Sequence, residues 1–138
     1  MTLYEVTRAF ENIALAQPNV RMVGHNHIYR DLNDNPEVRY RVFYLTQTTH
    51  RANDLFEVYG FNAFIVDRLL DDGSNELEVE SYAKETLDNI LRTFCERYGV
   101  ELVGTRKYQS FTEHFKDECA GMYVTFEVEL PIDLICAE

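Results

Sequence analysis

The chain has 138 residues, a length that suits a single domain spanning residues 1–138 around one hydrophobic core. Its 46% hydrophobic content excludes a disordered chain, and no apolar run approaches the ~18 residues that a membrane span requires. The net charge of -11 lies mostly in residues 71–138, which carry six Lys and Arg against sixteen Asp and Glu, and this acidity disfavours duplex DNA as a specific ligand.

The N-terminal segment predicts a helix. Thr2 and Glu5 have the spacing of a capping box, in which the Thr hydroxyl accepts a hydrogen bond from the third helical N–H. Apolar residues then recur at helical spacing until Pro18, so we expect a helix over Leu3–Ala16. This segment lacks the basic start and cleavage site of a secretory signal, and we therefore expect cytoplasmic synthesis without export.

Strand-like segments follow. Val20–Tyr29 predicts a first strand, and Asp31–Pro36 is rich in turn formers and predicts a loop. Residues 38–45 begin with one polar face and become apolar on both faces, and residues 55–66 are rich in aromatic and β-branched residues. These two segments predict an antiparallel hairpin at the centre of a sheet, with Gly60 as a possible bulge.

The second half predicts a helix and another hairpin. Ser74 or Asn75 can cap a helix that ends at Gly99, because Gly accepts the left-handed conformation that terminates many helices. Strands are then predicted over Val100–Phe111 and Met122–Leu130, and the latter alternates strictly between apolar and polar positions. The predicted fold is therefore α+β: an antiparallel sheet of four to five strands against two helices, in the order helix, strand, hairpin, helix, hairpin.

The candidate site residues are charged or polar. An acidic group at the start of the second predicted helix contains Asp71, Asp72, Asn75, Glu76, Glu78 and Glu80. Glu76 and Glu78 have a local explanation, since carboxylates are favourable at the positive end of a helix dipole. The segment lacks the ligand spacing of a calcium loop, so we expect a solvated acidic surface and no metal. Arg39 and Arg41 are the densest basic group.

Other potential sites carry weaker signals. His25 and His27 could share one strand face as metal ligands, with a third ligand from His50 or His114, but the spacing does not imply that set. His114 and Cys119 could form a thiol nucleophile, although small turn-forming residues explain the segment around Cys119 more simply. The three cysteines form no CxxC pair, and no phosphate-binding or dinucleotide-binding motif is present. We therefore expect no enzyme activity and no cofactor.

Two local strings, Phe64–Leu91 and Phe111–Val128, resemble structural ring proteins of crAss-like phages and related phages of Bacteroidetes. The predicted order of elements and the length also resemble the tail-terminator and neck-ring proteins of tailed bacteriophages. The resemblance implies a virion protein of the neck or tail that forms a homo-oligomeric ring. It would contact neighbouring portal, neck and tail proteins, and DNA only in passage, and it implies no catalytic residues.

The charge distribution fits such a ring in two ways. Arg39 and Arg41 could face the acidic group of a neighbouring subunit, because ring contacts join two different surfaces. Alternatively, the acidic group could line the passage and repel the phosphates of DNA. Reversal of Asp71 and Asp72 to Lys should abolish assembly in the first case and make DNA adhere in the second.

Two other classes of function remain open from the sequence. The chain could be a small α+β enzyme or ligand-binding domain, with Tyr40, Tyr44, Phe61 and Phe64 lining a pocket, although such aromatic residues are more often core. It could also be an acidic inhibitor that mimics DNA, which the charge of the second half permits. Oligomeric state discriminates among the three classes, because only the ring protein is expected to form closed rings.

Overall fold

The structure, a computed structural model, describes residues 1–34, 38–70, 73–114 and 117–131. Its elements, in chain order, are α1 (Leu3–Leu15), β1 (Met22–His25), α2 (Ile28–Asp34), β2 (Val42–Ala52), β3 (Phe56–Arg68), α3 (Glu76–Tyr98), β4 (Glu101–His114) and β5 (Glu118–Pro131). The strands form one sheet in the order β1-β2-β3-β5-β4, in which β1 pairs parallel to β2 and all other pairs are antiparallel. The predicted α+β class is thus confirmed, and the predicted antiparallel pairing holds for every strand pair except β1 with β2.

Helices α1 and α3 cover one face of the sheet. Phe10 of α1 is fully buried and stacks on Phe94 of α3, with ring centroids 4.1 Å apart. The same ring meets Phe61 of β3 and Phe126 of β5 edge-on at 5.9 and 5.6 Å. One aromatic side chain therefore joins two helices and two strands. As predicted, Val124, Phe126, Val128 and Leu130 of β5 point into this core.

The opposite face carries a smaller core that the sequence did not predict. Residues Ile28 and Leu32 of α2 are buried there against Tyr44 of β2, Val66 of β3 and Cys119 of β5. The prediction of two helices was therefore wrong, the strand predicted over Val20–Tyr29 is confirmed only for Met22–His25, and the loop predicted from Asp31 is helical up to Asp34. Ile28 and Leu32 are four residues apart, so one helical face can bury both, and this burial outweighs the turn preference of the polar residues around Leu32.

The ends of the long helices follow local chemistry. Glu5 N–H donates to the Thr2 hydroxyl at 3.2 Å, and that hydroxyl donates to the Glu5 carboxylate at 3.0 Å, so the N-cap of α1 is confirmed. Helix α3 ends at Gly99, whose φ of 62° places it in the predicted left-handed conformation. These two helices are the elements that the sequence predicted best.

The central hairpin is longer than predicted. Strand β2 begins at Val42 and continues to Ala52, so the polar segment after Leu45 belongs to the strand and not to a connection. The register of this hairpin shifts between Gln47 and Thr49 of β2, and Gly60 of β3 pairs with Thr49 next to that shift. A polar segment can extend a strand here because β1 ends at the level of Leu45 and leaves the remainder of β2 at a sheet edge.

Candidate functional site

The predicted acidic group lies at the start of α3. Asp71 and Asp72 are outside the described residues. Asn75 precedes the helix, but its side chain makes no capping bond. Instead its Oδ1 accepts from Leu70 N–H at 2.9 Å and its Nδ2 donates to the Arg68 carbonyl at 3.2 Å. Asn75 therefore closes the connection between β3 and α3, which gives it a structural role.

The first turns of α3 expose both charge and apolar surface. Glu76 and Glu78 are exposed and Glu80 is half-buried, and within the described part of the chain none of the three forms an ion pair. Leu77 is 76% exposed, and Leu70 is also exposed just before the helix. We call Leu70, Glu76, Leu77, Glu78 and Glu80 the acidic α3 surface. Large apolar side chains rimmed by charges are typical of contact sites between proteins.

The two predicted arginines are in different environments. Arg41 donates from Nε and Nη2 to Asp67 Oδ2 at 3.2 and 3.1 Å, and its guanidinium lies 5.2 Å from the centre of the Tyr82 ring. Its side chain is only 12% exposed. Arg39 is exposed and has no ion pair with any described residue. Arg39 is therefore available to a neighbour, whereas Arg41 is occupied within its own chain.

A hydrogen-bonded cluster surrounds Cys119. The Tyr40 hydroxyl donates to Asp117 Oδ2 at 3.1 Å, and Cys119 Sγ lies 3.4 Å from that hydroxyl. Burial raises the pKa of Cys119, and the nearby carboxylates of Asp117 and Asp67 raise it further against the hydrogen bond with Tyr40 and the charge of Arg68. Burial also raises the pKa of Tyr40 above its ordinary value. A buried thiol with a raised pKa is a poor nucleophile, so this cluster does not favour the alternative in which Cys119 acts as a nucleophile.

The histidine pair is not arranged for shared ligation. His25 is the last residue of β1, and Asn26 after it has a φ of 67°, so His27 does not continue the strand face. His25 Nδ1 lies 3.7 Å from Oε2 of the buried Glu11. No group of three His, Cys, Asp or Glu side chains within the described ranges could hold a metal ion.

The aromatic residues predicted as a possible pocket are divided between the two cores. Phe61 belongs to the core under α1 and α3, whereas Tyr44 is buried on the opposite face beneath α2. The Tyr44 hydroxyl donates to Asp31 of α2, and Phe64 and Tyr40 pack beside this second core. These four rings therefore do not line a common pocket.

A pocket that the sequence analysis did not predict lies where β3 and β4 begin. It has a volume of about 270 Å³ and is lined by Phe56, Gly99, Val100, Glu101, Glu129 and Pro131. Glu101 of β4 and Glu129 of β5 are directly opposite each other in the strand register. The two residues are 28 positions apart, and only the pairing of β4 with β5, including its irregularity after Val103, shows that they meet.

Comparisons with known proteins do not assign a family. A scan against protein-family models finds no match, and a search of curated protein sequences finds no similar protein. None of the helices in the described part of the chain combines the length and apolar character needed to cross a membrane.

Proposed function

We propose that this chain is a structural subunit that forms an oligomeric ring in the neck or tail of a tailed phage, joining head to tail around a DNA passage. The observation that carries the proposal is the acidic α3 surface, where Leu77 is exposed between Glu76 and Glu78 in the sequence and Leu70 is exposed just before the helix. Exposing such side chains to water is unfavourable, so burial against another protein would stabilise an assembly. The neck or tail position rests on the resemblance of the strings Phe64–Leu91 and Phe111–Val128.

The chemistry of the buried polar groups also supports an assembly role over catalysis. Cys119, the thiol fully buried beside Tyr40, is held protonated, and its hydroxyl and carboxylate neighbours are occupied by each other. Arg41 and Asp67 likewise satisfy each other. Such saturated contacts stabilise a fold and leave few groups free to activate a substrate.

Within the ring, the acidic α3 surface has two alternative roles. It could contact a neighbouring protein through Leu77, with the carboxylates setting register against basic side chains such as Arg39 of the next copy. It could instead line the passage, where Glu76, Glu78 and Glu80 would repel DNA phosphates and keep the polymer mobile. Arg41 takes part in neither role because Asp67 holds it.

A pair of charge-reversal variants separates these roles. Glu76→Lys/Glu78→Lys changes the acidic α3 surface, and Glu85→Lys/Glu96→Lys makes the same change of charge on exposed positions further along the helix. Light scattering and electron micrographs then report ring formation, and retention of added DNA is measured by filter binding. Loss of rings in the first variant alone supports the contact role, and intact rings that retain DNA support the passage role. If both variants behave like the unchanged protein in both assays, the surface has neither role.

A further inference from the structure

One edge of the sheet is only partly covered. Strand β1 pairs with β2 from Val42 to Leu45, and no strand in the described part of the chain pairs with residues 46–52 on the side away from β3. We call residues 46–52 the free β2 edge. An edge strand presents a row of unpaired N–H and C=O groups, to which a strand of another molecule can add. This edge is therefore a place where two copies of the chain could join their sheets.

Asn26 occupies the first polar groups along this edge. Its N–H donates to the Leu45 carbonyl at 3.0 Å, and its Oδ1 accepts from Gln47 N–H at 3.4 Å. Its φ of 67° lies where the chain leaves β1 for α2, and Asn tolerates this left-handed conformation better than most other residues with a side chain. Asn26 thus ends the pairing of β1 and also takes an N–H that an added strand would need.

The rest of the free β2 edge is irregular and charged. Between Gln47 and Thr49 the register of β2 shifts against β3, so Thr48 is an extra residue in β2. Such a bulge interrupts the even row of hydrogen-bonding groups and increases the local twist. His50 and Arg51 follow, with side chains that are 46% and 63% exposed, and charged side chains on an edge disfavour an added strand. An added strand would have to break its ladder at Thr48.

Contacts on both faces of the sheet fix β1 beside this edge. Gly24 lies so close to the Tyr44 ring that a Cβ on it would be 2.4 Å from Tyr44 Cε2. On the side of α1, His25 Nδ1 lies 3.7 Å from Oε2 of the buried Glu11. A strand of only four residues needs such support, and these contacts hold Asn26 directly beside β2.

We infer that Asn26 and the extra residue Thr48 close the free β2 edge to strand addition by a second copy of this chain. The inference goes beyond the proposed ring, because it excludes one surface from the contacts between copies. Copies then associate through other surfaces, such as the acidic α3 surface, and the sheet of one copy does not continue into the next at β2.

Asn26→Gly tests the side chain at this position. Gly keeps the left-handed φ and removes only the Oδ1 acceptor. Asn19→Gly is the matched control, because Asn19 has a φ of 69° but precedes β1 at its other end. In hydrogen exchange followed by NMR, the Gln47 amide should exchange about fivefold faster in Asn26→Gly, the effect of one lost hydrogen bond, and at an unchanged rate in Asn19→Gly. An unchanged rate in both variants would overturn the role of Asn26.

Deletion of Thr48 from Asn26→Gly should open the edge, because β2 then has no extra residue. The outward-facing amides of residues 49–52 should exchange about fivefold more slowly as the concentration of this variant rises, since each pairs with a second copy. In the unchanged protein their exchange should not depend on concentration, even where rings form, and circular dichroism verifies that the variant is folded. Exchange that is independent of concentration in the opened variant would overturn the inference. Protection of these amides in rings of the unchanged protein would also overturn it while leaving the proposed ring intact, whereas an unchanged protein that forms no rings contradicts the proposed function alone.

Discussion

Replacement of Phe10 by Ala tests the arrangement of helices and sheet on which the candidate surfaces depend. Phe10 has no exposed surface, and its ring contacts those of Phe94, Phe61 and Phe126 at centroid distances between 4.1 and 5.9 Å. Core Phe-to-Ala substitutions cost about 3–5 kcal/mol, and specific ring pairs add to the cost of lost burial. Because Phe10 joins α1 to α3 and to two strands, we expect a loss of about 4 kcal/mol in the free energy of unfolding.

Tyr4→Ala is the matched control. It removes a ring of similar size from the same helix, but Tyr4 is 72% exposed, so the expected cost is within about 0.5 kcal/mol. Urea unfolding followed by circular dichroism measures both variants, and with a slope of about 2 kcal/mol per molar urea the midpoint of Phe10→Ala should fall by about 2 M. A loss below about 1 kcal/mol for Phe10→Ala, or equal losses for the two variants, would refute the packing of α1 and α3 against the sheet.

Three further substitutions should change the free energy of unfolding: one should raise it and two should lower it. Glu11→Leu should raise the free energy of unfolding by about 1–2 kcal/mol in urea titrations, because the Glu11 side chain is 5% exposed and its Oε1 accepts no hydrogen bond; a loss of stability would contradict this. Gly121→Ala should cost more than about 2 kcal/mol by thermal unfolding, since a Cβ would lie 1.9 Å from the Ile65 carbonyl oxygen, and a neutral result would exclude the β3–β5 register. Asp88→Asn should destabilise the protein by about 0.5–1 kcal/mol at pH 7, with a difference that decreases as the pH falls through the folded pKa of Asp88.

The pH dependence at Asp88 follows from its surroundings. Burial raises the pKa of this carboxyl, but hydrogen bonds from Lys84 and Tyr108, together with the charges of Lys84 and Arg106, hold it below its ordinary value of 3.8. A carboxyl with a lowered pKa contributes stability above its unfolded pKa, and the contribution is lost as the pH falls through the folded pKa. Unfolding curves of both proteins at several pH values measure it, and a difference that grew at low pH would show the opposite sign.

The sequence was informative wherever a signal was local. Thr2 marked the start of α1, Gly99 marked the end of α3, and the alternation over Met122–Leu130 marked the buried face of β5, because each depends on neighbours within a few residues. Helix α2 was missed because only Ile28 and Leu32 supply its apolar face, and that pair is too short a pattern to outweigh turn-forming neighbours.

The site depended on contacts that the sequence does not display. The sequence suggests that Arg41 could face a neighbouring subunit, yet it pairs with Asp67, 26 residues later, because β2 and β3 place them side by side. Glu101 and Glu129 were not singled out because each is unremarkable within its own strand, and only the register of β4 with β5 makes them neighbours. Periodicity predicts which face of an element is buried, but the partner across the sheet requires the fold.

The proposed ring is tested most directly by the mass and shape of the assembled protein. Light scattering across a concentration series, with electron micrographs of the same samples, should show one discrete species of several copies with a central opening. A protein that stays monomeric at every concentration, or that forms only a two-fold symmetric dimer, would contradict the account, since neither joins the two different surfaces that a ring requires.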